Sequence, residues 1–315
     1  MPIPANTPTR GNNRIIAMLV DQISDPFLAE FARRLDRRAR CLGYKLVFGN
    51  TESDIRFTTK LISVFHNMNV AGYIIAPPAG IDFDLRKLLN RDRPVVLFDT
   101  DDPGGGACRV CADNYRGGYD AVAHLATNGY RDIGFLAPDS VQKRMVDRRQ
   151  GYEKAVEDFR LETRLAKIPV LASPEAIAAA IKKLLWETGS LDALVFADNN
   201  IAFTGMGVLR QLKLQAPRDL AVVAFDDNDY FSLFSPGITA VTQPLNEMVE
   251  KILECIIHPR AKTGGTAPAA RIGDAADTVI LPTRLVVRES SAPAPVRRRK
   301  AASMFPGAAA KLSEM

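Results

Sequence analysis

The sequence contains few of the residues and segments on which secreted, membrane and metal-binding proteins depend. It has four cysteines and three histidines in 315 residues, and no apolar run is long enough to span a bilayer. The cysteines are too few and too scattered for a disulfide scaffold. The first residues lack the apolar stretch of a secretory signal. We therefore expect a cytoplasmic protein without a membrane partner.

The motifs of common enzyme and cofactor sites are also missing. The sequence has neither the GxxxxGK[ST] loop that holds phosphates nor the GxSxG turn of serine hydrolases. His66, His124 and His258 lack the spacing of metal ligands. Cys108-x-x-Cys111 runs into a predicted strand, whereas a redox pair opens a helix. We predict no catalytic residues, no metal and no cofactor, and we interpret the cysteines as structural.

Positive charge is concentrated near the end of the sequence. Residues 292–315 contain five basic side chains against one acidic one, so they carry +4 of the net charge of +5. The remaining body, at +1, argues against a DNA-binding surface spread over the globular part. We predict a flexible arm at residues 1–13 and a basic, disordered tail at residues 292–315.

Apolar strands alternate with amphipathic helices along the rest of the chain. Ile15–Val20 has the composition of a buried strand, and the helix after it has an apolar face that ends at Gly43. The same alternation continues through a short helix at Phe83–Asn90 to a closing strand pair at Val279–Arg288, which Pro282 interrupts. This pattern predicts an α/β fold with parallel sheets and helices on both faces.

Acidic or amide side chains stand at the ends of most predicted strands. Ala221–Phe225 stops at the pair Asp226-Asp227, which cannot remain in a sheet buried on both faces. Other strands end at Asp21, Asn50, Asp99, Asp113 and Asp198. Because open α/β sheets bind ligands at the carboxyl ends of their strands, we expect a ligand site lined by acceptors there. The alternative is that these side chains only cap the following helices.

Other side chains suit the same site. Arg148 can donate several hydrogen bonds in a fixed fork, and a carboxylate can accept from neighbouring hydroxyls of a polyol. Phe27, Phe98 and Phe231 are candidates to cover the apolar face of a sugar ring. Together these residues predict a small polar ligand, namely a sugar or a sugar derivative.

Several short segments, taken together and in order, resemble the effector-binding part of the LacI/GalR family of transcriptional regulators. The segments are Asp21–Phe27, Val110–Asn114 with Gly117-Gly118, Asn128–Phe135, Arg148–Tyr152, Val223–Asp227, Thr242–Pro244 and Leu281–Ser290. The resemblance implies the type I periplasmic-binding-protein fold over roughly residues 14–290. This fold has two doubly wound parallel-sheet lobes that are joined by three crossovers, with the effector in the cleft.

The resemblance also implies a division of the chain and a set of binding residues. Residues 14–113 and 244–278 would form the N-terminal lobe, and residues 114–243 and 279–291 the C-terminal lobe. The implied effector contacts are Arg148, Asp198 and Asp226 in one lobe and Asp25, Phe27, Phe98 and Asp99 in the other. The family's A-N-D segment occurs here as Ala197-Asp198-Asn199, with its two polar residues exchanged.

The leading hypothesis is a LacI-type regulator that binds a small sugar-like effector and couples lobe closure to regulation. We expect a homodimer that forms through the N-terminal lobe. The family's helix-turn-helix is missing before the first sensor strand, so we expect DNA binding only if such a head is supplied upstream. A stand-alone cytosolic sugar-binding module is the alternative. A periplasmic transport protein is the third hypothesis, and an enzyme that acts on a phosphosugar is the fourth.

Overall fold

The computed structural model describes residues 13–77, 93–100, 107–170, 172–189, 191–259 and 278–293. The helix predicted at Phe83–Asn90 lies outside these residues, as do nearly all of the predicted arm and basic tail. None of the described helices is both long and apolar enough to cross a membrane.

Strands and helices alternate along the described chain, as the sequence predicted. In chain order, the elements are β1 (Ile15–Val20), α1 (Pro26–Cys41), β2 (Lys45–Asn50), α2 (Ile55–Asn67), β3 (Gly72–Ile75), β4 (Val95–Phe98), β5 (Cys108–Ala112), α3 (Asn114–Thr127), β6 (Ile133–Pro138), α4 (Lys143–Asp158), β7 (Arg164–Ile168), α5 (Pro174–Thr188), β8 (Ala193–Phe196), α6 (Asn199–Gln211), β9 (Ala221–Phe225), α7 (Asp229–Leu233), β10 (Thr239–Thr242), α8 (Leu245–Ile257), β11 (Thr278–Leu281) and β12 (Arg284–Val286).

These elements form two compact units, each built on one six-stranded sheet. The chain passes from one unit to the other after Val110, Met248 and Val279, and the short segment Ser24–Ala29 groups with the second unit. Both sheets are mostly parallel. The predicted α/β class with doubly wound parallel sheets is confirmed.

The sheet of the first unit has the strand order β11-β5-β4-β3-β1-β2. Its central strands consist of buried apolar residues, which is typical of a sheet covered on both faces. On α1 the predicted apolar face is confirmed, because Phe31, Leu35 and Ala39 are all fully buried. Gly43 follows the helix in the left-handed region, at φ +78°, where glycine is favoured.

The sheet of the second unit has the order β12-β10-β9-β8-β6-β7 and a core on each face. Neighbouring residues of one strand enter opposite cores, because side chains alternate across a strand. Phe135 packs with residues of α3 and α4, whereas Leu136 packs with residues of α5 and α6. Helices therefore cover both faces of this sheet, with α3 and α4 on one face and α5 and α6 on the other.

The predicted strand pair at Val279–Arg288 differs from the structure in one respect. Its two halves, β11 and β12, belong to different sheets, and β12 pairs antiparallel with β10. Pro282 lies between them and has no N–H to donate to a ladder. The interruption was predicted, and the family resemblance implied a crossing between the lobes near residues 278–280. That the first half of the pair joins the sheet of the first unit was not predicted.

The sequence did not predict which cysteines are paired. Cys108 of β5 and Cys255 of α8 are joined by a disulfide within the first unit, although 147 residues separate them in the sequence. Cys41 and Cys111 are free thiols. Spacing along the chain gave no sign of this pair, because only the fold brings the end of α8 beside β5.

Two glycines allow α3 and α4 to approach backbone to backbone. A Cβ atom built on Gly118 would lie 2.2 Å from the carbonyl oxygen of Arg148, and one built on Gly151 would lie 2.1 Å from that of Tyr115. Neither contact is possible for a real side chain, so both positions require glycine. The close crossing places Arg148 within hydrogen-bonding distance of Asn114 at the start of α3.

We predict that Gly118→Ala destabilises the protein by at least about 2 kcal/mol, because the added methyl group forces two helix backbones apart. The matched control is Gly207→Ala in α6, where an added Cβ meets nothing within 4 Å. That control should be neutral or stabilising by up to about 1 kcal/mol, since alanine favours a helix over glycine. Urea unfolding measures both, and equal effects would contradict the close crossing.

Candidate functional site

A buried ion pair lies at the carboxyl end of the second sheet. Arg148 binds Asp226 through two parallel hydrogen bonds, from Nη1 to Oδ2 at 2.9 Å and from Nη2 to Oδ1 at 3.0 Å. Arg148 is 1% exposed and Asp226 is 7% exposed. The guanidinium also lies 4.3 Å from the centre of the Phe225 ring. The structure thus brings two of the predicted binding residues into direct contact.

The end of β9 explains where Asp226 lies. Its backbone has φ +63°, in the left-handed region that aspartate tolerates better than most residues. The N–H groups of Asp226 and Asp227 both donate to the carbonyl oxygen of Val241, at 2.9 and 3.2 Å. This turn takes the chain out of the sheet immediately after the apolar strand, as the acidic pair predicted.

Two residues in this network were not among the predicted binding residues. The Oδ1 atom of Asn114 accepts a hydrogen bond from Nε of Arg148 at 2.7 Å, and Nε2 of Gln243 donates to Oδ1 of Asp226 at 2.6 Å. Nη1 of Arg148 also donates to the carbonyl oxygen of Ala197 at 2.6 Å. The available signal for Asn114 and Gln243 was their position beside strand ends, in segments that carry the family resemblance.

The alternative role of the strand-end residues, helix capping, holds for two of them. Oδ1 of Asp198 accepts from the N–H of Ile201 at 2.8 Å and caps α6, and Oδ1 of Asp113 accepts from the N–H of Arg116 at 2.9 Å and caps α3. Asp226 instead commits its side chain to the ion pair. A cap uses one oxygen of a carboxylate, so capping and ligand binding are compatible at Asp198.

Asp25 is a third carboxylate, and it interacts electrostatically with Asp226 and Asp198. Its Oδ1 atom caps α1 by accepting from the N–H groups of Phe27 and Leu28. Burial and, after it, the negative charge of Asp226 raise the pKa of Asp25 to about 6, with a smaller contribution from Asp198, although the two capping hydrogen bonds act in the opposite direction. Burial, with the charge of Asp226, also raises the pKa of Asp198. The three carboxylates therefore repel one another.

The predicted aromatic residues Phe98 and Phe231 lie in the apolar cores of the two units. Phe98 is almost fully buried in the first unit and stacks on Phe31, with ring centroids 4.4 Å apart. Phe231 is fully buried in the second unit and packs on Phe203 at 5.4 Å. Both rings stabilise a core in this structure. Their contact with a ligand stays a prediction.

Asp99 and Phe27 complete the predicted set. Asp99 follows β4 in the first unit, is buried, and has φ +52°, which is the same left-handed strand ending that Asp226 adopts. Phe27 is half-buried in the first turn of α1. Their contact with a ligand also stays a prediction.

The arginine and the carboxylates described above have the chemistry of a polar binding site. Carboxylates and an arginine held in fixed positions can form charge-assisted hydrogen bonds, which are stronger than those between neutral groups. Within the described ranges, no group of three or more His, Cys, Asp or Glu side chains could hold a metal ion.

Residues 122–291, more than half of the chain, match the family model of the periplasmic binding protein-like domain. The chain belongs to this family. Within it, the chain is an effector-binding domain of the LacI type. The HTH-type transcriptional regulator DegA of Bacillus subtilis (strain 168) is 27% identical to it over 301 residues, which cover 90% of this chain and 83% of DegA.

Solved structures agree with this assignment. A putative ribose operon repressor from Burkholderia thailandensis matches with a TM-score of 0.74 and 26% identity, over 87% of this chain and 99% of that chain. A LacI family transcriptional regulator from Enterococcus faecium, with bound ribose, matches with a TM-score of 0.75 and 22% identity. That match covers 89% of this chain and all of the other, and at this identity it shows the fold alone.

Because Arg148 is part of a buried ion pair, truncating it should lower the stability of this LacI-type domain as well as its ligand binding. From the sequence alone, Arg148→Ala would remove ligand contacts and leave the fold intact. In the structure it leaves the Asp226 carboxylate buried without its arginine, which should cost about 3–5 kcal/mol of stability. Chemical denaturation measures this loss.

Two variants act as controls for that prediction. The double variant Arg148→Met with Asp226→Asn removes both charges and should recover most of the lost stability. Arg38→Ala breaks an exposed ion pair with Glu250 and should cost less than about 1 kcal/mol. A single Arg148→Ala variant as stable as the wild type would contradict the buried pair.

The raised pKa of Asp25 predicts a pH-dependent cost to stability. The folded protein holds this proton more tightly than the unfolded chain, so stability falls as the pH rises from about 4 to about 6. Asp25→Asn keeps a capping side chain and removes the charge. At pH 8 we expect it to stabilise the protein by about 1 kcal/mol, well below the full linkage value, because the half-buried carboxylate is screened.

Thermal or urea unfolding at pH 8 and pH 4 tests this prediction, and the gain should vanish at pH 4. Asp54→Asn is the matched control, because Asp54 caps α2 in the same way from an exposed position. Equal behaviour of the two variants at pH 8 would show that Asp25 is not under electrostatic strain.

Proposed function

We propose that the chain is the sensor of a LacI-type transcriptional regulator and that it binds a small, sugar-like effector at the group formed by Arg148, Asp226, Asp198 and Asp25. The observation that carries this proposal is the buried Arg148–Asp226 pair at the carboxyl end of β9. Ligands of open α/β sheets bind at that end of the strands. The chain acts by binding and not by catalysis.

The comparisons support the class of ligand. One neighbour in fold is named as a ribose operon repressor and another contains ribose. A ribose-like polyol offers several hydroxyl groups, and carboxylates and an arginine can bind these as acceptors and donors. The proposed binding residues of this chain have the matching hydrogen-bonding groups.

We propose a homodimer that forms through the first unit. The side chains of Phe57 and Val64 on α2 and of Met68, which caps its C-terminus, are 46%, 52% and 39% exposed, and their spacing places them along one face of the helix. A second copy that covered this apolar face would remove it from water. Sedimentation at the mass of a single chain, at micromolar concentration, would contradict the dimer.

We propose that the protein acts in the cytoplasm. Its relative DegA is named as a transcriptional regulator, and such a protein acts where it can reach DNA. The Cys108–Cys255 bond counts against this location, because disulfides are rare in the reducing cytosol. The site described above does not depend on that bond, which lies in the first unit.

A thermal-shift screen tests the proposed ligand site. Sugars, polyols, sugar acids, nucleosides and purines are added to the purified chain, and a ligand that binds only the native state raises the midpoint. We expect a hit among the sugars or their derivatives. The hit should be lost in the double variant Arg148→Met with Asp226→Asn and kept in Arg38→Ala.

The double variant is preferred to Arg148→Ala because it leaves no buried charge without a partner. Its own midpoint without ligand serves as its baseline. A hit of the same size in the double variant would place the ligand elsewhere on the molecule.

A further inference from the structure

We propose that the ligand of this site carries a protonated amino group beside its hydroxyl groups, and that Asp25 and Asp198 bind the amine. This inference rests on the proposed function and names the chemical class of its effector. It follows from which hydrogen-bonding atoms of the site already have partners and which do not.

Arg148 is largely occupied by the protein itself. Its guanidinium already donates to Asn114, to the carbonyl oxygen of Ala197 and to both oxygens of Asp226. The charges of Arg148 and Asp226 offset each other within the pair. The arginine is therefore poorly placed to neutralise an acidic ligand, and the uncompensated charge of the site comes from the other carboxylates.

Asp25 and Asp198 retain acceptor capacity. Each uses its Oδ1 atom to cap a helix, and no group in the described part of the chain donates to Oδ2 of either. Asp226 repels both carboxylates, and they repel each other. A cation between these carboxylates would relieve that repulsion, whereas a phosphate or a carboxylate group would increase it.

Two buried amides point independently to a polar ligand at this site. Gln243 is 5% exposed and donates through Nε2 to Asp226, yet its Oε1 atom has no hydrogen-bond partner among the described residues. Asn199 is fully buried and accepts from Asn228, and its Nδ2 atom likewise lacks a partner there. Unsatisfied buried polar atoms are costly, so such atoms beside a charged site call for an explanation.

The two unsatisfied atoms indicate what the ligand carries besides its amine. The Gln243 oxygen needs a donor, which a hydroxyl or an ammonium group provides. The Asn199 nitrogen needs an acceptor, which a hydroxyl oxygen provides. An amino sugar or an amino polyol combines these groups in one small molecule, whereas a plain alkylamine lacks the acceptor.

Binding should also depend on pH in a defined direction. The carboxylates that interact electrostatically are Asp25, Asp198 and Asp226, and the positive charges that act on Asp198 are those of Arg148 and Arg144. An ammonium ligand binds the ionised form of Asp25, so its affinity should rise as the pH increases through about 6. The affinity should fall again when the ligand's own amine loses its proton.

The test is isothermal titration with sets of compounds that share a skeleton and differ in charge. D-glucosamine, D-glucose, D-glucuronate and glucose 6-phosphate form one set, and corresponding galactose, mannose and ribose sets vary the skeleton. In the wild-type chain at pH 7, at least one amine should bind at least about tenfold more tightly than its neutral parent. The acidic members should bind most weakly.

The matched variants are Asp198→Asn and Asp25→Asn, which change each carboxylate to an amide of the same shape. In each, the ratio of the amine's affinity to that of the neutral parent should fall toward one. Asp54→Asn, an exposed cap in the first unit, should leave the ratio unchanged. Loss of the pH dependence near 6 in Asp25→Asn would support the assignment of that group.

The outcomes separate this inference from the proposed function. If a neutral or acidic sugar binds most tightly, and its binding is lost in the Arg148→Met with Asp226→Asn variant, the sensor proposal stands and the amine inference is wrong. If an amine binds with the same preference in Asp198→Asn and Asp25→Asn, the inference is also wrong. If no compound of any set binds, both proposals fail.

Discussion

The buried Arg148–Asp226 pair is the interaction on which the second unit and its site depend. Two charges removed from water are stable only when they are paired and their own hydrogen-bonding atoms have partners. Here Asn114, Gln243 and the backbone carbonyl of Ala197 complete the pair. Because the residues of this network come from α3, α4, the residues just after β8 and β9, and the segment after β10, the pair also fixes how those elements meet.

The pair in turn depends on the close approach of α3 and α4. Gly118 and Gly151 let the two backbones touch, and this contact brings the arginine of one helix to the asparagine of the other. A fork of five N–H groups suits such a junction because it bonds several elements at once. The same glycines that appeared in the sequence as part of short motifs are therefore structural requirements of the site.

The other carboxylates of the site, unlike that of the ion pair, are destabilised as anions by their surroundings. Asp25 and Asp198 lose solvation and repel Asp226, and both effects oppose their ionisation in the folded protein. Strain of this kind is common at binding sites, where a ligand supplies the missing interactions. The unsatisfied amide atoms of Asn199 and Gln243 belong to the same group of residues. Stability and binding thus make different demands on neighbouring residues.

Much of the fold and part of the site could be predicted from the sequence. Apolar runs marked the strands, and helical spacing marked the buried face of α1, because both follow from local periodicity. Strand ends marked Asp226 and Asp198, and ordered motifs marked the family. Phe98 and Phe231 were marked as aromatic candidates, but local pattern did not show that their rings would be covered by the core.

The sequence by itself determined the α/β class, the order of the elements and the residue types at the strand ends, because these depend on neighbours along the chain. Only the tertiary structure decided that Arg148 binds Asp226 instead of standing free, that Gln243 and Asn114 join them, and that Cys108 meets Cys255. Residues far apart in sequence make each of these contacts. Their geometry depends on how sheets and helices pack, which no local pattern contains.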